Sequence, residues 1–233
     1  MLDNSDFETF LFVSEKKLII LVNNSQNKKI YEEEEILKKD NKELIFKEID
    51  FFLEKNIYKI EKKIQSFVKK LHLILDLEEF FSIEISIKNK DFQNVINFES
   101  LSYTLNEARE YCKETIDDKK IVHMLVDNYT LDDKKYSSLP KNLKCNNFSL
   151  DIRFICISKQ LVKNLEKIFK KYQISLGQIF SFSYVEKFLL EDRKNIFLAA
   201  KMLMNGLNPN EVIFTNKSVK NHGFFEKFFN LFS

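Results

Sequence analysis

Three histidines, three cysteines and three glycines are the residues of this 233-residue chain whose chemistry is worth weighing first. His72 and His123 sit in apolar runs, where an imidazole is read as a satisfied core residue rather than a catalyst. Asp127 and Asp132 or Asp133 follow His123, but alternation along a strand sets His123 and Asp127 several residues apart on one face, with no nucleophile beside them. A Cys-His enzyme built from Cys112 or Cys156 with His123 is a third reading of the chain, resting on a nonspecific spacing. Cys112, Cys145 and Cys156 form no CxxC pair, so neither a zinc site nor a disulfide framework is expected; Cys112 and Cys156, at apolar-face positions, read as buried, reduced thiols of a cytoplasmic protein. The glycines, Gly177, Gly206 and Gly223, stand alone. A phosphate-cradling loop needs several, so that backbone N–H groups can approach an anion, and neither a P-loop nor a GxGxxG is present. No ATP or dinucleotide site, no metal, no cofactor and no enzymatic activity are expected.

Charge points the same way. The 37 basic and 35 acidic residues leave a net charge of +2, and only Arg109, Arg153 and Arg193 carry a guanidinium. Nucleic-acid binders concentrate basic charge, and arginine makes the bidentate phosphate contacts, so no nucleic-acid partner is expected. The acidic start, Met1 to Asp6, does not read as a signal peptide, and no run approaches the roughly 18 apolar residues of a spanning helix.

The elements that would position these residues are those of an α/β protein. Phe10–Val13 and Leu18–Val22 read as strands, with a more polar third from Gln26 to Glu35, in which the glutamates make a solvated edge. Leu53, Ile57, Ile60, Ile64, Phe67 and Leu71 recur at helical spacing and predict a helix over 47–71, followed by a His72–Leu75 strand. Ser82–Lys88 alternates as a half-buried strand. Phe98–Lys113 reads as a helix with Leu101, Leu105, Ala108 and Cys112 on one face. Two strands follow at Ile121–Leu131 and Phe148–Ile157. After them come a helix over Lys159–Tyr172, a strand over Ile179–Tyr184 and a helical segment from Phe188 to Asn205, closed by Gly206 and Pro209. Residues 208–222, rich in Asn and Lys, read as a tether.

The end of the chain carries the strongest local pattern. At 100° per residue, Phe224, Phe225, Phe228, Phe229, Leu231 and Phe232 share one arc of a helix over 223–233, and Lys227 lies opposite with Glu226 and Asn230. Such a face suits an amphipathic membrane-binding helix on an anionic surface, with Lys217 and Lys220 upstream. Burying one Phe is worth roughly 1.5–3 kcal/mol in full and less at an interface, so one copy binds weakly and several bind by avidity.

Ile121-Val122-His123-Met124-Leu125-Val126-Asp127-Asn128-Tyr129-Thr130-Leu131-Asp132 resembles the segment of the cell-division protein FtsA in which a Val-Leu-His strand runs into a Tyr-x-(Ile/Val/Leu)-Asp turn. Ser138-Leu139-Pro140, Leu150–Ile157, Val162–Tyr172 and Ile174-Ser175-Leu176 keep that family's order, and Leu198 to Gly206 is similar to its closing Ala-rich helix. The resemblance implies a fragment of an actin-like core over 1–81 and 159–207, with an inserted strand-helix-strand-strand interaction subdomain over 82–158. Where the family has an Asp-Ile-Gly-Ser phosphate loop, this chain has Val13-Ser14-Glu15-Lys16-Lys17, and the second actin-like domain is missing after Tyr184. The function implied is that of a non-catalytic adaptor of the cell-division machinery, peripheral on the inner face of the cell membrane. FtsZ or other divisome components, the anionic membrane surface and other copies of the chain are its implied partners. A scaffold of another inner-membrane assembly, such as the related pilus-assembly proteins, is the alternative.

Overall fold

The computed structural model describes residues 7–37, 45–90, 94–95, 98–140, 143–189 and 195–213. Two apolar runs begin the chain: β1 (Phe7–Ser14) and β2 (Lys17–Asn24) form a hairpin, and β3 (Lys29–Ile36) pairs along β2. α1 (Ile45–Ile64) crosses one face and leads into β4 (Lys70–Asp76), which lies parallel to β1. After a long excursion the chain returns through α3 (Lys159–Lys171) to β11 (Ser175–Ser181), parallel to β4. The resulting sheet runs β11-β4-β1-β2-β3, an antiparallel meander joined to parallel strands through helical crossovers. This is the α/β layout expected from the sequence.

Continuous burial of Phe10–Val13, Leu18–Val22 and Leu71–Leu75 follows from coverage on both faces. On one face, Phe52, Leu53 and Ile60 of α1 meet Leu165 and Phe169 of α3 over Leu11, Ile20 and Leu73. On the other, Phe10, Phe12 and Ile74 pack against Phe180, Tyr184 and α5 (Ile196–Met204). Side chains tie the helices together: Tyr31 donates to Asn56 at 2.6 Å, and Tyr172 donates to Asp50 Oδ1 at 2.9 Å. Lys171 pairs with Asp50 and holds its carboxyl below the usual carboxylate range.

The excursion builds a second sheet. β5 (Phe81–Asn89), β7 (Lys119–Leu131), β8 (Lys134–Tyr136) and β10 (Phe148–Ser158) assemble in the order β5-β10-β7-β8, with α2 (Phe98–Thr115) on one face. β6 (Asn94–Val95) and β9 (Lys144–Cys145) form a two-residue ladder beside it. Four strands of the segment expected as an insertion thus share one sheet, while β6 and β9 pair apart from it, and the core of the larger sheet holds Leu105, Cys112, Met124, Phe154 and Cys156.

Several boundaries differ from the sequence reading, among them the start of β11, at Ser175 rather than the expected Ile179. The first helix ends at Ile64, because Gln65 takes φ 53° and Ser66 N–H donates back to Glu61 O, a Schellman close. Phe67 is consequently 78% exposed, and Leu71 belongs to β4. Tyr184 lies beyond its strand, in the short α4 (Phe182–Val185), which runs into a 3₁₀ turn over Glu186–Phe188. The last helix starts at Ile196, where the Asn195 side chain accepts from the N–H groups of Phe197 and Leu198 at 3.0 Å. Gly206, at φ 83°, closes it as expected. Among the described residues no helix is long and apolar enough to cross a membrane.

Candidate functional site

In the sequence reading the β1–β2 turn stands in place of a phosphate loop. Here Ser14 Oγ accepts from the N–H of Lys16 at 3.3 Å and of Lys17 at 3.1 Å, and donates to Lys17 O at 3.1 Å. A phosphate loop works by aiming free N–H groups at an anion. Ser14 consumes two of these donors within the turn itself.

The histidines are engaged in packing. His72 Nδ1 accepts from Gln178 N–H at 3.1 Å, and burial, aided by Lys70, pushes its pKa down to about 4. Gly177 makes room for that ring, since a Cβ there would come within 2.7 Å of Nδ1. His123 lies on the opposite side of its sheet from the thiols. Cys112 and Cys156 sit together in the α2 core, where burial pushes the Cys156 thiol up to about 12. The Cys-His pairing weighed from the sequence is therefore not assembled. Nor does Asp127 reach His123: it occupies a bulge of β7 and pairs with Arg153. Asp132 instead caps the N–H groups of Asn146 and Asn147 at 3.0 and 2.9 Å, and Asp133, at φ 67°, lies in the same turn.

What His123 does is hold the end of the described chain. Its Nε2 accepts from Ser181 N–H at 3.3 Å, which leaves Nδ1 to carry the proton and donate to Glu211 Oε1 at 2.8 Å. Glu211 Oε2 accepts from the Tyr184 hydroxyl at 2.8 Å, and that hydroxyl accepts from Asn208 Nδ2 at 2.9 Å. The His123 and Tyr184 rings lie 4.4 Å apart. Burial pushes the Tyr184 hydroxyl far above the ordinary phenol range, and Glu211 adds to the shift, so the hydroxyl stays a donor. Around this clamp the backbone extends the second sheet: Val126 N–H donates to Asn210 O at 2.9 Å and Val212 N–H to Met124 O at 2.8 Å. The expected tether over 208–222 is corrected in its first six residues. Residues 208–213 are docked on the free edge of β7, because a buried network and two ladder hydrogen bonds hold them there. The Asn-Pro-Asn lead-in hid this, although the Glu211-Val212-Ile213 run after it was a strand-like signal.

The chain reaches Ile213 beside a cleft of about 410 Å³ lined by Arg109, Lys113, Lys119, Lys120 and Lys159. Lys113 and Lys119 pair with Glu110 and Asp118 at 2.7 Å, exposed contacts of small energetic weight. The residues assigned to a membrane-binding face, Phe224, Phe225, Lys227, Phe228, Phe229, Leu231 and Phe232, lie outside the described residues.

The face of the second sheet away from α2 divides in two. Leu125 and Ile155 pack into the main body, while Ser86, Asn128, Asp151 and Arg153 form a polar, partly exposed surface. Ser86 donates to Asp151 Oδ1 at 2.6 Å and Asn128 to Oδ2 at 3.1 Å, so the surface is pre-ordered. Asp127 raises the Arg153 pKa further by accepting from its guanidinium.

No family profile and no curated protein matches this chain. Several solved structures do, with low overall similarity. One is the cytoplasmic domain of EpsL, an inner membrane component of the type II secretion system of Vibrio cholerae. It shares 10% identity over 77% of this chain and 57% of that one, with a TM-score of 0.37. A PilM-PilN type IV pilus biogenesis complex shares 10% identity over 79% and 50%, with a TM-score of 0.44. A Bacteroides thetaiotaomicron protein with actin-like ATPase fold and unknown function shares 12% over 82% and 61%, with a TM-score of 0.33. The chain thus spans about half to three fifths of the length of these structures.

Proposed function

We propose that this chain is a non-catalytic adaptor that binds protein partners at the inner face of a bacterial cell membrane, the cell-division machinery being the assembly its resemblance to FtsA suggests. The observation that carries the reading is the place where the described chain ends. The clamp on Glu211 fixes the backbone up to Ile213 beside a cleft lined by five basic side chains. A segment with an aromatic face over 223–233, joined to this point through residues 214–222, would enter a bilayer while those cations meet anionic headgroups. The second sheet supplies an ordered polar face for a protein partner, and Ser14 leaves the β1–β2 turn two amides short of a phosphate cradle.

Co-sedimentation with vesicles containing anionic lipid tests the reading. The full chain should pellet, and a chain ending at residue 213, which keeps the clamp, should stay in solution with an unchanged circular dichroism spectrum. Lys119→Glu with Lys120→Glu should weaken binding of the full chain to anionic vesicles and leave the fold intact. Equal vesicle binding by the chain ending at 213 would refute the proposal.

A further inference from the structure

We propose that β5 is a homodimerisation edge, pairing antiparallel with β5 of a second copy about a two-fold axis at Ser86, so that the two second sheets become one. This stands independently of the membrane reading.

The inference starts from how the sheet edges are protected. An edge strand exposes a row of unpaired N–H and C=O groups, and proteins blunt such edges with charge, bulges, shortness or cover. β3 carries four consecutive glutamates, Glu32–Glu35, and its ladder with β2 shifts register at Val22/Asn23. β11 is broken by a shift between Leu176 and Ile179 and lends its Ser181 amide to His123. β8 is three residues long with two lysines, and residues 210–212 cover Met124–Val126 of that edge of β7. β5 has no bulge, is not short and is uncovered among the described residues, and its exposed charges, Glu84 and Lys88, are of opposite sign. All nine of its residues pair with β10 in unbroken register, it contains neither Pro nor Gly, and no described strand pairs with its other side.

The side chains indicate what takes that side. Ile83, Ile85 and Ile87 are only partly buried on the α2 face, and Ser82, Glu84, Ser86 and Lys88 are exposed on the other. In an antiparallel pair centred on Ser86, Glu84 of each copy stands opposite Lys88 of the other, giving two reciprocal ion pairs. Ile85 stands opposite Ile87 twice on the apolar face, which completes the burial of both. The strand is therefore complementary to itself in charge and in shape, as an isologous two-fold interface requires. An acidic or a basic strand from another protein would match only one of its two charges.

Sedimentation velocity of the full chain over a concentration series tests the pairing. The wild type should sediment as a dimer, and Glu84→Lys and Lys88→Glu should each weaken association at least about tenfold by opposing like charges twice across the axis. The double exchange, Glu84→Lys with Lys88→Glu, should restore the dimer, an outcome that loss of fold cannot produce. Ser86→Cys places two thiols opposite one another within disulfide reach and should give a covalent dimer on mild oxidation, while Cys112, Cys145 and Cys156 remain buried. A wild type monomeric at its solubility limit, or a dimer indifferent to Glu84→Lys, overturns the proposal. So does a dimer that Ser86→Cys fails to cross-link.

Discussion

Glu211→Ala should destabilise the protein by about 2–4 kcal/mol. The magnitude follows from what the carboxylate satisfies. It accepts from His123 Nδ1 and from the Tyr184 hydroxyl, both at 2.8 Å, and the side chains of His123 and Glu211 are only 2% and 11% exposed. Removal leaves two buried donors without an acceptor, and each costs about 1–3 kcal/mol. Neither donor can turn elsewhere. His123 Nε2 is committed to Ser181 N–H, and Asn208 supplies the Tyr184 hydroxyl with a donor, not an acceptor. Solvent entry at the rim of Glu211 should keep the loss below the sum of two full penalties. Glu211→Gln keeps one acceptor but turns an N–H₂ toward the other donor, so it should lie between the wild type and Ala. Urea titration measures both, with a lower midpoint and an unchanged slope expected. Amide exchange supplies the structural readout: the Val126 and Val212 N–H groups, which bond across the docked segment, should lose protection first. A Glu211→Ala protein within about 0.5 kcal/mol of wild type, the range of ordinary surface changes, would refute the clamp. Full destabilisation with Val126 and Val212 still protected would refute its role in holding residues 208–213.

Two further outcomes follow from the same structure. His72 is held at a pKa of about 4 in the fold and returns to about 6.5 on unfolding, so it stabilises the protein fully above pH 6.5. That contribution is lost as pH falls from 6.5 to 4 while the unfolded state takes up the proton. At about 1.4 kcal/mol per pH unit the loss reaches roughly 3 kcal/mol. His72→Gln should flatten this slope in urea titrations across the window, and an unaltered slope would contradict the assignment. Calorimetry with ATP and magnesium should give no micromolar binding, because Ser14 holds the hairpin amides a phosphate would need; a saturable micromolar isotherm would contradict that account.

Most elements were legible in the sequence wherever burial imposes a local period. The alternation of Ile83, Ile85 and Ile87, the unbroken apolar runs of β1 and β2, and the face formed by Leu101, Leu105, Ala108 and Cys112 each follow from which side of an element is covered. The end of α1 was not legible. Ile64, Phe67 and Leu71 continue the four-three spacing across a turn made by Gln65, which is neither Gly nor Asn and gives no warning of a left-handed close. The clamp was hidden for a different reason. Glu211 lies 88 residues from His123 and 27 from Tyr184, and a polar contact between distant segments leaves no period behind. Its traces were His123 itself, a buried imidazole that had to have partners, and the strand-like Glu211-Val212-Ile213 run.

The clamp and the β5 edge lie on opposite margins of one sheet, and this has a geometric consequence. In the proposed dimer each docked segment pairs outside β7, so the order segment-β7-β10-β5-β5-β10-β7-segment spans seven intervals of ~4.8 Å and sets the two docked segments about 34 Å apart across the sheet. A two-fold axis through paired edge strands stands perpendicular to the sheet, and therefore leaves like faces of the two copies on the same side. Val212 packs against the α2-side core and Ile213 lines the cleft beside Arg109 and Lys113, so in the proposed dimer the two clefts open on one side of the joined sheet. Two weak aromatic anchors on one surface act as a bivalent attachment, in which the second insertion proceeds at the high effective concentration set by the first. If residues 223–233 anchor the chain as proposed, a marginal single anchor would suffice, because self-association would strengthen its hold on the membrane without any new contact to lipid.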